Sequence, residues 1–285
     1  MCAAAVFFSG IDSSAKWLSV HLPAVEIVWA RYMGAAVFSL LAARSWSRPR
    51  VLVSRSPGLQ IIRSTLLLGS TVFNFLALRK LQLAETSTIS FLSPLLVALL
   101  AGPWLGERIG RARVAAIAIG FLGVLIAVRP GSAAFQPIVL ACLAGVVCNA
   151  LYGLTTRALA ARDLSETTLA WTPIAGVVAL TPFLPWSWQT PESGLVWLVM
   201  AVMGLCGGLG HWLLILAHHR APASVLAPFG YTQLIWMIVL GALVFGDWPP
   251  VATLIGAGIV IASNLFLVWR ERGGEPAARP LLVPR

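Results

Sequence analysis

The sequence predicts an all-α integral membrane protein with ten transmembrane helices, arranged as two inverted five-helix repeats around a central cavity. Three observations support this fold class: an apolar composition, ten apolar runs of membrane-spanning length, and an uneven distribution of arginine between alternate connections. Of the residues, 59% are hydrophobic and 11% are charged, and the mean hydropathy is +0.87. Soluble domains carry about 25% charged residues, so this composition excludes a soluble globular protein.

Ten runs of the chain have the length that crosses a bilayer. A transmembrane helix needs about 20 predominantly apolar residues, and charged residues, Pro and Gly divide the chain into runs of this size. The few remaining residues leave no room for a soluble domain. The predicted helices, called spans 1 to 10, lie near residues 2–21, 25–43, 60–79, 84–104, 112–128, 137–157, 167–185, 194–217, 222–245 and 250–269.

Basic residues are distributed unequally between the two sides of the membrane. With both termini on one side, that side holds thirteen of them and the other side holds Arg79, Lys80 and Arg129. Cytoplasmic connections carry the excess of basic residues, so the count supports ten spans with both termini cytoplasmic. The first side is called the Arg-rich face and the second the Arg-poor face. The thirteen are Arg44, Arg48, Arg50, Arg55, Arg63, Arg108, Arg111, Arg113, Arg157, Arg162, Arg220, Arg270 and Arg272.

An internal repeat relates the two halves of the chain. A slide of 140 residues places the Leu-Gly-Glu of residues 105–107 over the Phe-Gly-Asp of residues 245–247. Each half holds five spans, and an odd number places the halves in opposite orientations. We therefore predict a first repeat over residues 1–130 and a second over 131–272. The tail, 273–285, ends in Leu-Val-Pro-Arg, which resembles a protease site left by an expression tag and is excluded from fold reasoning.

Metal, nucleotide and nucleic-acid sites are not expected. The four cysteines lie singly in apolar runs, without the close pairs of zinc sites, and are interpreted as core residues. The formal net charge is +10, but the basic residues occupy short gaps and form no continuous stripe for nucleic acid. No Gly-rich loop is followed by Lys-Ser or Lys-Thr, as ATP binding would require. We expect no cofactor.

Ionisable residues inside spans 1 and 2 are the first candidates for a functional site. A charge near the membrane centre costs about 2.5–3.5 kcal/mol, so it faces a partner or a wet cavity. Asp12 is the deepest, Lys16 follows on the same helix face, and Trp17 is adjacent. In span 2, Glu26 and Arg31 are five residues apart and point in different directions, which favours pairs between spans, such as Asp12 with Arg31. Glu26 and Arg31 are assigned to structural ion pairs. Two interpretations stay open: a structural ion-pair network holding both spans, or a substrate or proton site.

A hydroxyl-rich segment before a proline distinguishes span 4. Ser87, Ser90 and Pro94 share one helix face, because they are spaced at i, i+3 and i+7. The proline removes one backbone hydrogen bond, which membranes tolerate where neighbouring groups or cavity water satisfy the carbonyl. This face either lines a cavity or packs against another helix through small residues. In span 3, Asn74 is also assigned to the substrate pathway.

The second half supplies polar and aromatic residues at similar depth. A few amide and hydroxyl groups between aromatic side chains suit a small amphipathic solute such as an amino acid. Tyr and Trp near helix ends also serve as interface anchors, which is the alternative interpretation. The residues assigned to the pathway are Asn149 and Tyr152 in span 6, His211 in span 8, and Tyr231, Gln233 and Trp236 in span 9.

Several short motifs together resemble one known family. They comprise Asp12 to Lys16, Glu26 to Arg31, Ser87-Thr88-Ile89-Ser90 before Ser93-Pro94, Leu105-Gly106-Glu107, and Gly120 with Gly123. With these motifs in this order, the chain resembles the drug/metabolite transporter superfamily, in its ten-helix EamA-like branch. The second half departs from the family pattern, because Asp247 replaces the usual Glu and two prolines follow it.

The resemblance implies a secondary transporter and no enzyme activity. It implies export of a small metabolite, an amino acid or related compound, across the bacterial inner membrane by alternating access, with aromatic amino-acid exporters as one subgroup. The implied partners are this solute, the bilayer and, as a hypothesis, protons, for a monomer or homodimer. The alternatives are a nucleotide-sugar or drug-type carrier of the superfamily, or an intramembrane lipid-modifying enzyme, which would need a nucleophile and base or clustered acids.

Overall fold

The chain folds into a bundle of helices joined mostly by short connections. The structure is a computed structural model that describes residues 1–42, 52–105, 111–132, 135–160, 162–220, 226 and 229–274. Within these residues all regular structure is helical, and each predicted span contains at least one helix. The helices are Cys2–Leu18 in span 1, Ala24–Ala42 in span 2, Pro57–Leu78 in span 3, Leu83–Ser90 and Ser93–Leu105 in span 4, Arg111–Val128 in span 5, Val139–Ala160 in span 6, Ser165–Trp171, Ile174–Leu180 and Leu184–Ser187 in span 7, Gly194–Arg220 in span 8, Thr232–Phe245 in span 9 and Val251–Gly274 in span 10.

The described helices have the length and composition of membrane spans. Spans 2 to 8 and span 10 are long and apolar enough to cross a bilayer, and the described helix of span 9 is a shorter apolar one. The helix of span 1 has 17 residues, among them Asp12 and Lys16. The prediction of an all-α membrane protein is therefore confirmed. Outside the described residues lie the motif residues Gly106 and Glu107, the tail from 275 onward, and four basic residues of the face count: Arg44, Arg48, Arg50 and Arg108.

The packing of the spans follows a two-fold relation between the halves. Each span of one half is equivalent to the span five positions away in the other half, so span 3 is equivalent to span 8 and span 6 to span 1. Spans 3 and 6 pack closely, and so do their equivalents, spans 8 and 1. The same equivalence converts the contact of span 4 with span 6 into that of span 9 with span 1, and it exchanges spans 5 and 10, which pack on each other. Equivalent spans run in opposite directions because each half holds five. The structure thus has the predicted inverted repeat.

Individual contacts between spans 5 and 10 obey the same relation. Gly123 faces the backbone of Gly256 so closely that a Cβ on Gly123 would lie 2.8 Å from the Gly256 carbonyl oxygen. The 140-residue slide places Gly123 on Ser263 and Ala116 on Gly256. In the structure, the Ser263 hydroxyl donates a hydrogen bond to the Ala116 carbonyl. One close contact is therefore the repeat image of the other, and small residues allow both.

Span 4 is broken where the proline predicts a disturbance. Phe91 and Leu92, three and two residues before Pro94, form a turn between its two helices. The Phe91 carbonyl accepts a hydrogen bond from the Asn264 side-chain amide of span 10 at 2.9 Å, so a neighbouring span satisfies this backbone group as membrane burial requires. The repeat equivalent of Phe91 is Tyr231, which directly precedes the helix of span 9. The two rings meet edge to face, with centroids 5.1 Å apart.

Two apolar clusters hold the bundle together. One contains Leu18, Ile27 and Met203 and packs spans 1, 2 and 8 against one another and against neighbouring spans. The other contains Ile89 and Leu95 and joins the spans around spans 4, 5, 6 and 10. Helices in a bilayer associate through packing rather than through exclusion of water. These clusters therefore fix the positions of the polar side chains that lie between the spans.

Candidate functional site

A cavity of about 450 Å³ lies between spans of both halves, within the size range of small-molecule sites. It reaches Met1, Leu214 and Gly230, which belong to the Arg-rich ends of spans 1, 8 and 9. Most of the residues singled out in the sequence contribute to its wall, although their role in transport stays a prediction. They are Asp12, Arg31, Asn74, Ser87, Ser90, Pro94, Asn149, Tyr152, His211, Tyr231 and Gln233.

Asp12 supplies the carboxylate of the cavity wall. Its Oδ1 accepts a hydrogen bond from the Asn74 side-chain amide at 3.0 Å, which joins span 1 to span 3. Arg31 attracts Asp12 electrostatically, but no Lys or Arg nitrogen of the described residues lies within 4.0 Å of the Asp12 carboxylate. The close pair of Asp12 with Lys16 or Arg31 considered from the sequence is therefore not formed, and an amide takes its place.

Arg31 places a guanidinium on the same wall. Its Nη1 donates to the Thr71 hydroxyl at 2.5 Å, and the Tyr32 hydroxyl lies 3.0 Å from the same Thr71 oxygen. The Arg31 Nε is buried and has no hydrogen-bond partner. The guanidinium also lies 5.8 Å from the centre of the Phe75 ring, within range of a cation–π interaction. Arg31 was assigned to a structural ion pair, but the structure gives it neutral partners and a cavity face.

Hydroxyl and amide groups of spans 4 and 6 form another part of the wall. Asn149 donates from its side-chain amide to the Ser93 hydroxyl at 3.0 Å. The Ser87 hydroxyl is buried and has no hydrogen-bond partner, while Ser90 and Pro94 also line the cavity. Of the two interpretations of the span 4 face, the geometry places these three residues on the cavity rather than only against a helix.

Aromatic groups complete the wall near the Arg-rich side. His211 contacts the Gly207 carbonyl through Nδ1 at 2.9 Å, and its ring meets Phe8 edge to face with centroids 5.2 Å apart. Tyr231 and Tyr152 contribute further rings. The site therefore presents one carboxylate, one guanidinium, several uncharged hydrogen-bonding groups and flat apolar surfaces.

Arg63 is a residue that the sequence reasoning missed. It counted as a loop residue of the Arg-rich face, but it is only 4% exposed. Its guanidinium donates to the Tyr152 hydroxyl at 2.7 Å, to the Thr156 hydroxyl at 2.7 Å and to the Thr172 hydroxyl at 2.9 Å. It thereby fixes Tyr152 in the cavity wall. The available signal was its helical spacing from Gln60, since the two residues share an inward face.

A polar cluster on the Arg-rich face lies next to Arg63. Asp163, in the connection between spans 6 and 7, accepts hydrogen bonds from the Ser54 hydroxyl, the Arg55 backbone N–H at 2.8 Å and the Gln60 side chain at 2.9 Å. Burial raises the pKa of Asp163, but these hydrogen bonds and the charge of Arg55 outweigh it and hold the pKa below its ordinary value. The carboxylate therefore joins the start of span 3 to the connection after span 6.

Three residues assigned to the substrate pathway lie away from the cavity wall. Lys16 binds Asp247 on the Arg-poor face, with 2.6 Å between Nζ and Oδ2, and its Nζ also donates to the Leu81 carbonyl at 3.2 Å. Trp17 stacks on His21, and Trp236 is 39% exposed. These three residues do not line the cavity, and the pathway role assigned to them stays a prediction.

Glu26, assigned to a structural ion pair, is fully buried. Its Oε2 accepts a hydrogen bond from the Gln189 backbone N–H at 3.0 Å, and its Oε1 has no hydrogen-bond partner. No Lys or Arg nitrogen of the described residues lies within 4.0 Å of its carboxylate. The partner of Glu26 is thus a backbone amide of the connection between spans 7 and 8, which is a structural contact but not an ion pair.

Known proteins resemble the chain along nearly its whole length. The riboflavin transporter of Vibrio cholerae serotype O1 is 27% identical over 279 residues, which cover 95% of this chain and 92% of that protein. The S-adenosylmethionine uptake transporter of Rickettsia felis is 25% identical and covers 93% and 89%. The pseudopaline exporter CntI of Pseudomonas aeruginosa is 27% identical and covers 93% of each chain.

A solved crystal structure shares the fold. It matches with a TM-score of 0.64 and 19% sequence identity, covering 96% of this chain and 99% of the other. The model of the EamA-like transporter family matches residues 1–129 and 136–269, which together span most of both halves. The resemblance read from the sequence motifs is therefore confirmed, and the chain belongs to the EamA-like transporter family.

Proposed function

We propose that the chain is a secondary transporter that exports a small metabolite, an amino acid or a related compound, across the bacterial inner membrane by alternating access. The observation that carries this proposal is the cavity, because it is walled by residues of both halves and offers charged, amide and aromatic groups together. The Arg distribution supports an orientation with both termini and the Arg-rich face in the cytoplasm.

The contacts on the Arg-poor face support alternating access. Lys16 of span 1 binds Asp247, which connects spans 9 and 10, and also the Leu81 carbonyl between spans 3 and 4. The Lys16–Asp247 ion pair joins the first half to the second on one side, while the cavity reaches the span ends of the other side. Opening toward the Arg-poor face requires this ion pair to separate, as rocking of one repeat against the other would do.

Proton coupling is the mechanism that Asp12 suggests. Among the described residues that line the cavity, Asp12 is the one carboxylic acid. A carboxylate that faces the two sides of the membrane in turn takes a proton from one side and releases it to the other. In this mechanism, solute leaves the cell in exchange for protons that enter.

The relatives point to a second class of solute. The names of the relatives include riboflavin, S-adenosylmethionine and pseudopaline, with uptake in one name and export in another. A carrier for a larger heteroaromatic compound, of the nucleotide-sugar or drug type, is therefore the second candidate. Tyr152, Tyr231 and Phe91 on the cavity wall favour it, because flat rings stack on such solutes.

Counterflow in proteoliposomes tests the proposal. Vesicles containing the purified protein and loaded with unlabelled solute are expected to take up the same labelled solute transiently, for at least one member of a panel of amino acids, riboflavin and related metabolites. A carrier exchanges, a channel conducts without exchange, and an enzyme leaves a modified product. Absence of counterflow for the whole panel, with protein-free vesicles as the baseline, would contradict the proposed function.

A further inference from the structure

We propose that the cavity binds a zwitterionic head group, with Arg31 as the receptor for a carboxylate of the solute and Asp12 as the receptor for its ammonium group. This inference rests on the proposed transport function and names the chemical class of its solute. In this arrangement span 1 binds the ammonium group of the solute and span 2 binds its carboxylate, so that two different helices bind opposite charges of the head group.

Arg31 has unused hydrogen-bonding capacity beside the cavity. Its Nη1 binds Thr71, but its Nε is buried without a partner, and no carboxylate of the described residues lies within 4.0 Å of its nitrogens. A buried cation that has only neutral partners is costly. A planar guanidinium offers paired N–H groups that match the two oxygens of a carboxylate. An incoming carboxylate would therefore satisfy both the charge and the free donor.

Asp12 is the complementary acceptor. The Asn74 amide donates to one of its oxygens, but an amide carries no charge to balance it. Lys16, the basic residue on the same helix face, is occupied by Asp247. No cation of the described residues lies within 4.0 Å of the Asp12 carboxylate. An ammonium group in the cavity would give the Asp12 carboxylate a cationic partner in direct contact, through a charge-assisted hydrogen bond.

A third polar group supports a ligand at this place. Ser87 is 4% exposed, its hydroxyl has no hydrogen-bond partner, and it lines the same cavity as Asp12 and Arg31. Buried polar groups of native proteins are nearly always paired, so an unpaired hydroxyl on a cavity wall indicates a missing partner. A solute without charged groups would leave Asp12 and Arg31 without a charged hydrogen-bond partner. A zwitterion balances them without changing the net charge of the site.

The test removes one charge at a time from the solute. Counterflow is measured with labelled L-phenylalanine, L-methionine and L-serine, and unlabelled competitors are the free amino acid, its methyl ester and its N-acetyl derivative. Esterification removes the carboxylate and acetylation removes the ammonium group. For each amino acid that exchanges, either change is expected to weaken competition about 10- to 100-fold, the range for hydrogen bonds between charged groups.

Variants of Arg31 assign the effect to one end of the solute. Arg31→Gln is expected to weaken competition by the free amino acid by the same factor. Competition by the methyl ester is expected to stay unchanged, so that acid and ester compete equally. Arg31→Lys is expected to restore part of the preference for the acid. Arg79→Gln is the matched control, because Arg79 is exposed on the Arg-poor face and binds the Ser19 carbonyl. Asp12→Asn tests the ammonium end of the solute in the same way. It is expected to weaken competition by the free amino acid and to leave competition by the N-acetyl derivative unchanged.

The outcomes separate this inference from the transport function. Exchange of riboflavin, which carries no charged group at neutral pH, without competition by amino acids would leave the carrier function standing and overturn the zwitterion site. Equal weakening of acid and ester by Arg31→Gln would also overturn it, since that result describes a residue needed for the fold alone. Absence of exchange with every probe would remove the transport function, and this inference with it.

Discussion

The Asp12→Asn protein is expected to lose solute exchange by about 10- to 100-fold, the cost of losing a hydrogen bond to a charged group, and to lose the dependence of exchange on pH. Asparagine has the size of aspartate, so the cavity keeps its shape while the carboxylate disappears. The Asn74 amide, which now donates to Asp12 Oδ1 at 3.0 Å, still finds an oxygen acceptor. The loss therefore reports charge, and counterflow across a series of pH values measures it.

Glu192→Gln is the matched control for Asp12→Asn. Glu192 is an exposed acid in the connection between spans 7 and 8, so removal of its charge is expected to leave exchange and its pH dependence unchanged. An Asp12→Asn protein that exchanges solute at the wild-type rate with the wild-type pH profile would show that Asp12 neither binds solute nor carries protons.

Gly34→Ala is expected to destabilise the folded bundle by about 1–3 kcal/mol, the usual cost of overpacking. Spans 2 and 8 cross with their backbones in contact, because a Cβ added to Gly34 would lie 2.5 Å from the Gly204 Cα. A Cβ added to Gly204 would lie 2.8 Å from the Gly34 Cα. The neighbouring atom is backbone and cannot rotate away, so the two helices must separate. Thermal unfolding in detergent measures the loss.

Gly258→Ala is the control for this substitution. Gly258 lies in the helix of span 10, and a Cβ there meets nothing within 4 Å. Alanine favours a helix over glycine by about 1 kcal/mol, so this variant is expected to be neutral or more stable. Equal unfolding temperatures for the two variants would mean that spans 2 and 8 do not touch at Gly34.

The order of the spans could be predicted because the apolar runs and the distribution of arginine between them are local features of the sequence. The break in span 4 was also accessible, since Pro94 removes a backbone donor wherever the chain folds. The short helical segments of span 7 were not predicted, although Pro173, Pro182 and Pro185 supply the same signal. The number of spans is a local property of the sequence. The hydrogen-bond partner of a backbone carbonyl at a helix break is not, because it comes from another span.

The partners of the charged residues could not be predicted. Lys16 favours Asp12 by helix spacing, but in the structure it binds Asp247, 231 positions away. Arg63 looks like one of several basic residues near a span end, and its burial depends on hydroxyl groups of spans 6 and 7. Helix periodicity determines which residues share a face. It does not determine which other helix that face meets, so the composition of the cavity wall was more predictable than its hydrogen bonds.

Two oppositely oriented five-span halves enclose the cavity, and the side of the membrane on which two connections lie tests this arrangement most directly. Val20, 85% exposed, follows the helix of span 1, and Leu164, 66% exposed, follows the helix of the equivalent span 6. Single cysteines at these positions, in a protein whose four native cysteines are replaced, are probed in intact cells with a membrane-impermeant thiol reagent. We expect Val20→Cys to react and Leu164→Cys to react only after the cells are opened. Reaction of both, or protection of both, would show that the halves have the same orientation and would contradict the account.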